Sequence, residues 1–306
     1  MSTPLSLSRA PTLSRSGHDR AAERRTDAGW LASAWERARV LLVTPDYRAP
    51  VTEGGDHPRL ALRPAAAVPA DAGRYFLGLA GEQPLFAVRG PRDHSHAAAD
   101  ELPRAERVRW SDLREVGAEL DDLDAGLLTT SVALARWHDR HPRCPICGNP
   151  TDLQNGGWSR RCPVDDSEHF PRTDPAVIML VHDGGDRCVL GRQASWPPGR
   201  YSILAGFVEP GESSEAAVAR EVGEEVGLAV TDVHYTGSQP WPFPSSLMLG
   251  YTALAVGDLT LSLNDGELAD ARWFTRDEIR RGVGLVALPP PVSIAHRIIT
   301  DWLDTG

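Results

Sequence analysis

Apolar positions recur along this chain with two periods, and the changes from one to the other mark its elements. In DAGWLASAWERA the spacing of Trp30, Leu31 and Trp35 is helical. The runs RVLLV (Arg39–Val43), RLALR (59–63), RYFLGLA (74–80) and PLFAVRG (84–90) are short, apolar and separated by turn residues, which reads as strands. They predict an antiparallel sheet with a flanking helix. From 120 to 141 the helical period returns, with Leu127, Leu128, Val132, Leu134 and Trp137 on a helix that joins the two halves of the chain. Core packing and a dimer contact explain that helix equally well. HFPRTDPAVIMLVHDGGDRCVLGRQ then reads as strand, turn and strand, with Asp183, Gly184, Gly185 and Asp186 as the hairpin connection. Near the end, Thr275 and Glu278 form a capping box that opens a short helix. Ser293 caps another, in which Ile294, Ile298, Trp302 and Leu303 make one apolar face.

Between these elements lies GFVEPGESSEAAVAREVGEEVGL, residues 206–228. Ser213 and Ser214 are N-cap candidates, Glu215 suits the first turn electrostatically, and Gly227 suits a left-handed cap, so the spacing predicts one helix over Ser214–Val226. At 100° per residue Glu221, Glu224 and Glu225 share one sector, beside a stripe of Val218, Val222 and Val226. The valines can face a core while the glutamates face a cleft. Three neighbouring carboxylates repel one another, which stabilises nothing by itself but suits oxygen ligands for Mg²⁺ or Mn²⁺. The competing reading is a solvated acidic face.

Composition changes this picture little. A length of 306 residues allows two domains, each with its own core, and a net charge of −10 argues against a general nucleic-acid surface while leaving room for a local basic cleft. No apolar run reaches membrane-spanning length. The start, MSTPLSLSRAPTLSRSGHDR, lacks the hydrophobic stretch of a secretory signal and reads as a mobile or peripheral segment, with a cytoplasmic location as the default. His94 and His96 sit in a polar tract without a third ligand and are read as solvated.

Cysteine spacing adds a second candidate centre. Cys144 and Cys147 form a C-x-x-C knuckle, Cys162 follows, and the position where a four-cysteine ribbon has its last ligand is Asp165. Asp can ligate Zn²⁺, less softly than thiolate, and Asp166 and His169 are nearby substitutes. A structural Zn²⁺ is one reading; a degenerate ribbon held by packing alone is the other, with a disulfide a lesser third. Cys188, in a strand-like run, is read as a small buried hydrophobe.

The spacing Gly206, Glu212, Arg220-Glu221, Glu224-Glu225, Gly227 with Val222, Val226 and Leu228 satisfies every specified position of the Nudix box, and the chain therefore resembles a Nudix hydrolase. The resemblance implies hydrolysis of a nucleoside diphosphate linked to another group, with two or three divalent ions. It implies Glu221 and Glu225 as direct metal ligands, Glu224 in support, the Ala205 carbonyl as a further ligand, and Glu212 with Arg220 as the pair that braces the loop against the helix. An ordinary salt bridge between these last two is compatible with that role.

Downstream, SQPWPFPSS carries three prolines expected to hold the backbone extended and to present Trp241 and Phe243. On physics alone it is a buried loop or a wall for a base. Together with the box and the upstream ribbon, it resembles the NADH pyrophosphatase subgroup, strongly from about residue 120 onward and more weakly before. That resemblance carries over Gln239, Pro240, Trp241, Pro242, Phe243, Pro244, Ser245 and Ser246 as substrate-binding positions, Ala295 as a substrate contact, and Glu267 as a metal ligand outside the box. Phe170 and Phe207 match aromatics on the nicotinamide side. The competing readings are a surface residue for Glu267 and core packing for the phenylalanines.

The fold expected is α/β: an N-terminal α+β domain with its connecting helix over 1–140, a zinc-ribbon-like module over 141–171, and a Nudix α/β/α sandwich over 172–306. The resemblance implies cleavage of NADH and NAD⁺ to NMN(H) and AMP, removal of NAD caps from RNA 5′ ends, and a homodimer. Rival readings are a Nudix pyrophosphatase for ADP-ribose or another nucleoside diphosphate derivative, and a nucleotide sensor without turnover.

Overall fold

The computed structural model describes residues 7–52, 56–69, 72–90, 108–263, 266–282 and 287–305. His94 and His96 lie outside the described residues. The chain forms two compact units: Met1–Ser14 with Asp174–Trp241 and Ser246–Gly306, and Arg15–Thr173 with Pro242–Ser245.

The first unit is built on a mixed sheet ordered Ala229–Trp241, Ser246–Val256, Asp174–His182, Arg187–Gln193, Leu268–Thr275, with Leu204–Phe207 paired to Asp174–His182. The central strand runs parallel to Ser246–Val256 and antiparallel to Arg187–Gln193. Its alternation explains the two layers around it. Val177, Met179 and Val181 point to one face and pack with Val218, Val222 and Val226 of the acidic helix. Ile178 and Leu180 point to the other and pack with Ile294, Ile298 and Trp302 of the last helix, Ile294–Asp304. Two helical layers thus enclose one sheet. At the 183–186 turn, Asp183 accepts from the Gly185 and Arg187 amides and pairs with the Arg187 side chain at 2.7 Å.

In this unit the amino-terminal stretch is not peripheral. Leu7 packs on the core of the last helix, Leu13 is 2% exposed, and Thr12–Ser14 forms a 3-10 turn.

The second unit contains a four-stranded sheet ordered Arg63–Pro64, Arg39–Val43, Gln83–Arg89, Arg74–Ala80, flanked by Ala28–Glu36. This sheet is mixed rather than antiparallel, because Arg39–Val43 runs parallel to Gln83–Arg89. The predicted strand 59–63 is split into Arg59–Leu60 and Arg63–Pro64, which pair in different sheets. Arg48–Thr52 and Val108–Asp112, which sequence periodicity did not single out, complete a three-stranded sheet with Arg59–Leu60. Asp122–Arg140 is a long helix with Leu127, Leu128, Val132 and Leu134 fully buried or nearly so. Beyond it come the cysteine knuckle and the three short strands of the ribbon.

Candidate active site

The acidic helix runs Ser214–Val226, with Ser213 as its cap accepting from the Ala216 amide and Gly227 left-handed at φ 72°. Valines on one side fix its rotation, so the glutamates are aimed by core packing rather than by their own preference. Glu225 is 4% exposed and the Glu221 side chain 13%, while the Glu224 side chain is 54% exposed. The carboxylate of Glu221 lies directly over Gly206: a Cβ there would sit 1.9–2.2 Å from its carboxyl atoms. Glycine is required at 206 by this approach, not by its backbone angles.

Arg220 ties the loop to the helix. Its Nε and Nη2 donate to Glu212 Oε1 and Oε2, both at 2.9 Å; Nη1 donates to Glu221 at 2.9 Å and Glu224 at 3.0 Å; Nη2 also reaches the Phe207 carbonyl at 2.9 Å. Those hydrogen bonds hold Glu212 below the usual carboxylate range. Burial raises the pKa of Glu221, Arg220 opposes the rise, and the charges of Glu224 and Glu267 add to it. Glu267 is thus felt at Glu221 although it stands outside the helix. Glu221, drawn out of water over a bare glycine and under the charges of Glu224 and Glu267, offers the hard oxygen donors that suit a divalent cation. Ala205 lies on the strand next to Gly206, in register with Ile178.

In the second unit Cys144 Sγ, Cys147 Sγ, Cys162 Sγ and an Asp165 carboxylate oxygen lie within 4.8 Å of one another, and they are the metal-sized cluster among the described residues. Their softness and number fit Zn²⁺. Asp166 instead pairs with Arg161 at 2.6 Å, and His169 meets Ser167 at 3.0 Å.

The proline-rich segment does not stay extended. Ser238–Trp241 ends a strand, 242–245 turns, and Trp241 pairs in register with Ser246; the Phe243-Pro244 peptide is cis. The Arg114 guanidinium lies 4.2 Å from the Phe243 ring centroid and that of Arg136 5.5 Å. Gln239 is 0% exposed, its Oε1 accepting from the Leu13 amide at 3.3 Å and its Nε2 donating to the Val292 carbonyl at 3.0 Å. It therefore presents no surface to a ligand, a correction to its reading as a direct contact.

Family models match along the chain: a NUDIX domain at 172–303, an NADH pyrophosphatase zinc ribbon domain at 139–170, and an NADH pyrophosphatase-like rudimentary NUDIX domain at 31–137. The NAD-capped RNA hydrolase NudC of Mycobacterium bovis is 45% identical over 307 residues, 97% of this chain and 96% of its own length. The chain belongs to the Nudix hydrolase family. A second relative, the NAD-capped RNA hydrolase NUDT12 of Macaca fascicularis, is 34% identical over 339 residues, covering 93% of this chain and 71% of its own.

Outside the Nudix helix the other expected contacts differ in accessibility. Phe207 and Phe170 are 59% and 64% exposed, so neither is a core residue in its own unit. Ala295 is 2% exposed at the start of the last helix, its amide donating to Ser293 Oγ at 3.2 Å. Sequence reading missed Leu13 and Ser14, which hold the strand end at Ser238 and Gln239, and Arg114 and Arg136, which flank Phe243. Nothing periodic distinguishes these residues; only their distant partners do.

Proposed function

We propose that this Nudix hydrolase splits the pyrophosphate of NADH and NAD⁺ into NMN(H) and AMP, and the same linkage where NAD caps an RNA 5′ end. The observation that carries the reading is the Glu221 carboxylate lying directly over Gly206, under the charges of Glu224 and Glu267 and held by the Arg220 network. Glu221, Glu225, Glu267 and the Ala205 carbonyl would hold Mg²⁺ or Mn²⁺, with Glu224 in support. Such ions neutralise the polyanionic linkage and polarise its phosphorus.

The chain's own part is positioning and proton transfer. Glu212 and Arg220 hold the loop so that Gly206 stays bare beneath Glu221. Glu225 and Glu267 are the two candidates for taking the proton from the attacking water. Phe207 and, in its own unit, Phe170 are each exposed and flat, as stacking on a nicotinamide ring requires, and Trp241 is suited to form part of a wall for the dinucleotide. Cys144, Cys147, Cys162 and Asp165 would hold one structural Zn²⁺. The enzyme acts as a cytoplasmic homodimer. Among the described residues no helix is long and apolar enough to cross a membrane.

The test is product analysis with NADH, NAD⁺, ADP-ribose and an NAD-capped RNA, each with Mg²⁺ or Mn²⁺. Release of AMP and NMNH from NADH is the expected result; cleavage confined to ADP-ribose overturns the substrate assignment. Undiminished AMP release by Glu221→Gln overturns the metal assignment.

A further inference from the structure

The residues before Ser14 make an ordered set of contacts within the first unit that no element of the Nudix box requires. Ser8 clasps Asp301, its amide on Oδ2 at 3.0 Å and its hydroxyl on Oδ1 at 2.8 Å, and Asp301 is 5% exposed. Leu7 lies over Gly237, where a Cβ would come within 2.7 Å of Leu7 Cδ1. Further on, the Thr12 hydroxyl donates to the Pro291 carbonyl at 2.9 Å, and the Ser14 hydroxyl to the Ser238 carbonyl at 2.6 Å. The segment thus begins on the last helix and ends on the strand that leads into Trp241.

Gln239 sits where these contacts converge. One buried amide bridges three pieces of chain: the Leu13 amide of the segment, its own strand, and the Val292 carbonyl just before the last helix. Its oxygen needs a donor and its nitrogen an acceptor, and burial leaves water unable to replace either. Trp241 stands two residues beyond it on the same strand, and Ala295 three beyond Val292.

We propose that Leu7–Ser14 is a positioning strap, which sets the strand end carrying Trp241 and the start of the last helix carrying Ala295 at the spacing the dinucleotide needs. The proposal rests on the reading of Trp241 and Ala295 as part of the dinucleotide wall. Gln239 is then a positioning residue, acting through its neighbours. The strap has no contact with the acidic helix among the hydrogen bonds described above, so loosening it weakens substrate binding and spares the chemical step.

The test compares Ser14→Ala with Ser14→Thr, which keeps the hydroxyl, in the full chain at saturating Mn²⁺ with NADH. Loss of one hydrogen bond is expected to raise KM about fivefold, with kcat within about twofold, and Ser14→Thr to return KM to the wild-type range. Hydrogen exchange at the Leu13 amide reports strap release directly. If exchange quickens while KM stays unchanged, or kcat falls with KM unchanged, the proposal is overturned. A Ser8→Ala, Thr12→Ala, Ser14→Ala variant extends the series; if even this leaves Leu13 exchange and KM untouched, the hydroxyls hold nothing and the proposal again fails. Should the wild type leave NADH intact, the substrate reading falls, and the same KM comparison is made with whichever nucleoside diphosphate it does cleave.

Discussion

Arg220 and Glu212 meet in a two-point pair, Nε to Oε1 and Nη2 to Oε2, each 2.9 Å long. The pair closes the glycine-bearing loop onto the helix, and the guanidinium's other hydrogens reach Glu221, Glu224 and the Phe207 carbonyl. A planar fork is needed for this; a lysine ammonium offers a single charged point. Arg220→Lys is therefore expected to keep the fold by circular dichroism and to lose about 10²-fold in kcat/KM, because the loop and Glu221 shift relative to one another. Steady-state kinetics with NADH check it, and wild-type kcat/KM would count against the bracing role.

Gly206→Ala places a methyl where the Glu221 carboxyl group now lies, 1.9 Å from its carboxyl carbon. The obstacle is the end of a flexible side chain, so the protein yields by moving Glu221 rather than by unfolding. Tm should change by no more than about 2–4 °C, equivalent to about 1 kcal/mol in a protein of this size class, whereas turnover should fall by about 10²-fold. Calorimetry beside an activity assay separates the two effects.

His138 predicts an acid-side loss of stability. Its Nδ1 faces Arg160 Nη1 at 3.0 Å and so accepts, leaving Nε2 to donate to the Gly157 carbonyl at 2.8 Å; the ring stacks on Tyr75 at 4.7 Å. Burial pushes its pKa down to about 4, helped by the charges of Arg160 and Arg89 and opposed by the Gly157 hydrogen bond. Between the ordinary 6.5 and about 4 the unfolded chain binds a proton that the native protein refuses. The contribution is therefore fully present above pH 6.5 and is lost as pH falls toward 4, by on the order of 3 kcal/mol. Asp124, pushed up to about 6 by burial, works in the opposite sense, since its native carboxyl takes up a proton first. Denaturant titration of wild type against His138→Gln isolates the histidine, because Asp124 is common to both. The variant should show the shallower fall on the acid side.

The ribbon makes a prediction about thiols. Chelation that strips the metal should leave Cys147, the exposed cysteine of the cluster, open to a thiol reagent in the native protein, while Cys188 stays protected. Cys188 is fully buried, and burial pushes its thiol up to about 12, so it reacts only on unfolding. Asp165→Ala should lower bound zinc, measured by elemental analysis, while Asp165→Cys retains it. Four reactive thiols in the folded chain would contradict the assignment.

The acidic helix, its caps, the spacing of its glutamates and the cysteine knuckle were legible in the sequence, because each is a relation between residues close in the chain, where helical period and turn chemistry act directly. The central strand was read as a strand, but its two faces, Val177, Met179 and Val181 against Ile178 and Leu180, were assigned by the packing around them. What the tertiary structure decided is of another kind. Arg39–Val43 chose a parallel neighbour, RLALR broke between two sheets, and the proline-rich segment turned back on itself at 242–245. Gln239 became a buried bridge to Leu13 and Val292, and Ser8 found Asp301 across 293 positions of chain. These pairings are set by which surfaces meet when the core closes. A serine, a glutamine or an arginine carries no local mark of the distant group it will meet, so local pattern determined the chemistry on offer, and packing determined which residues hold it in place.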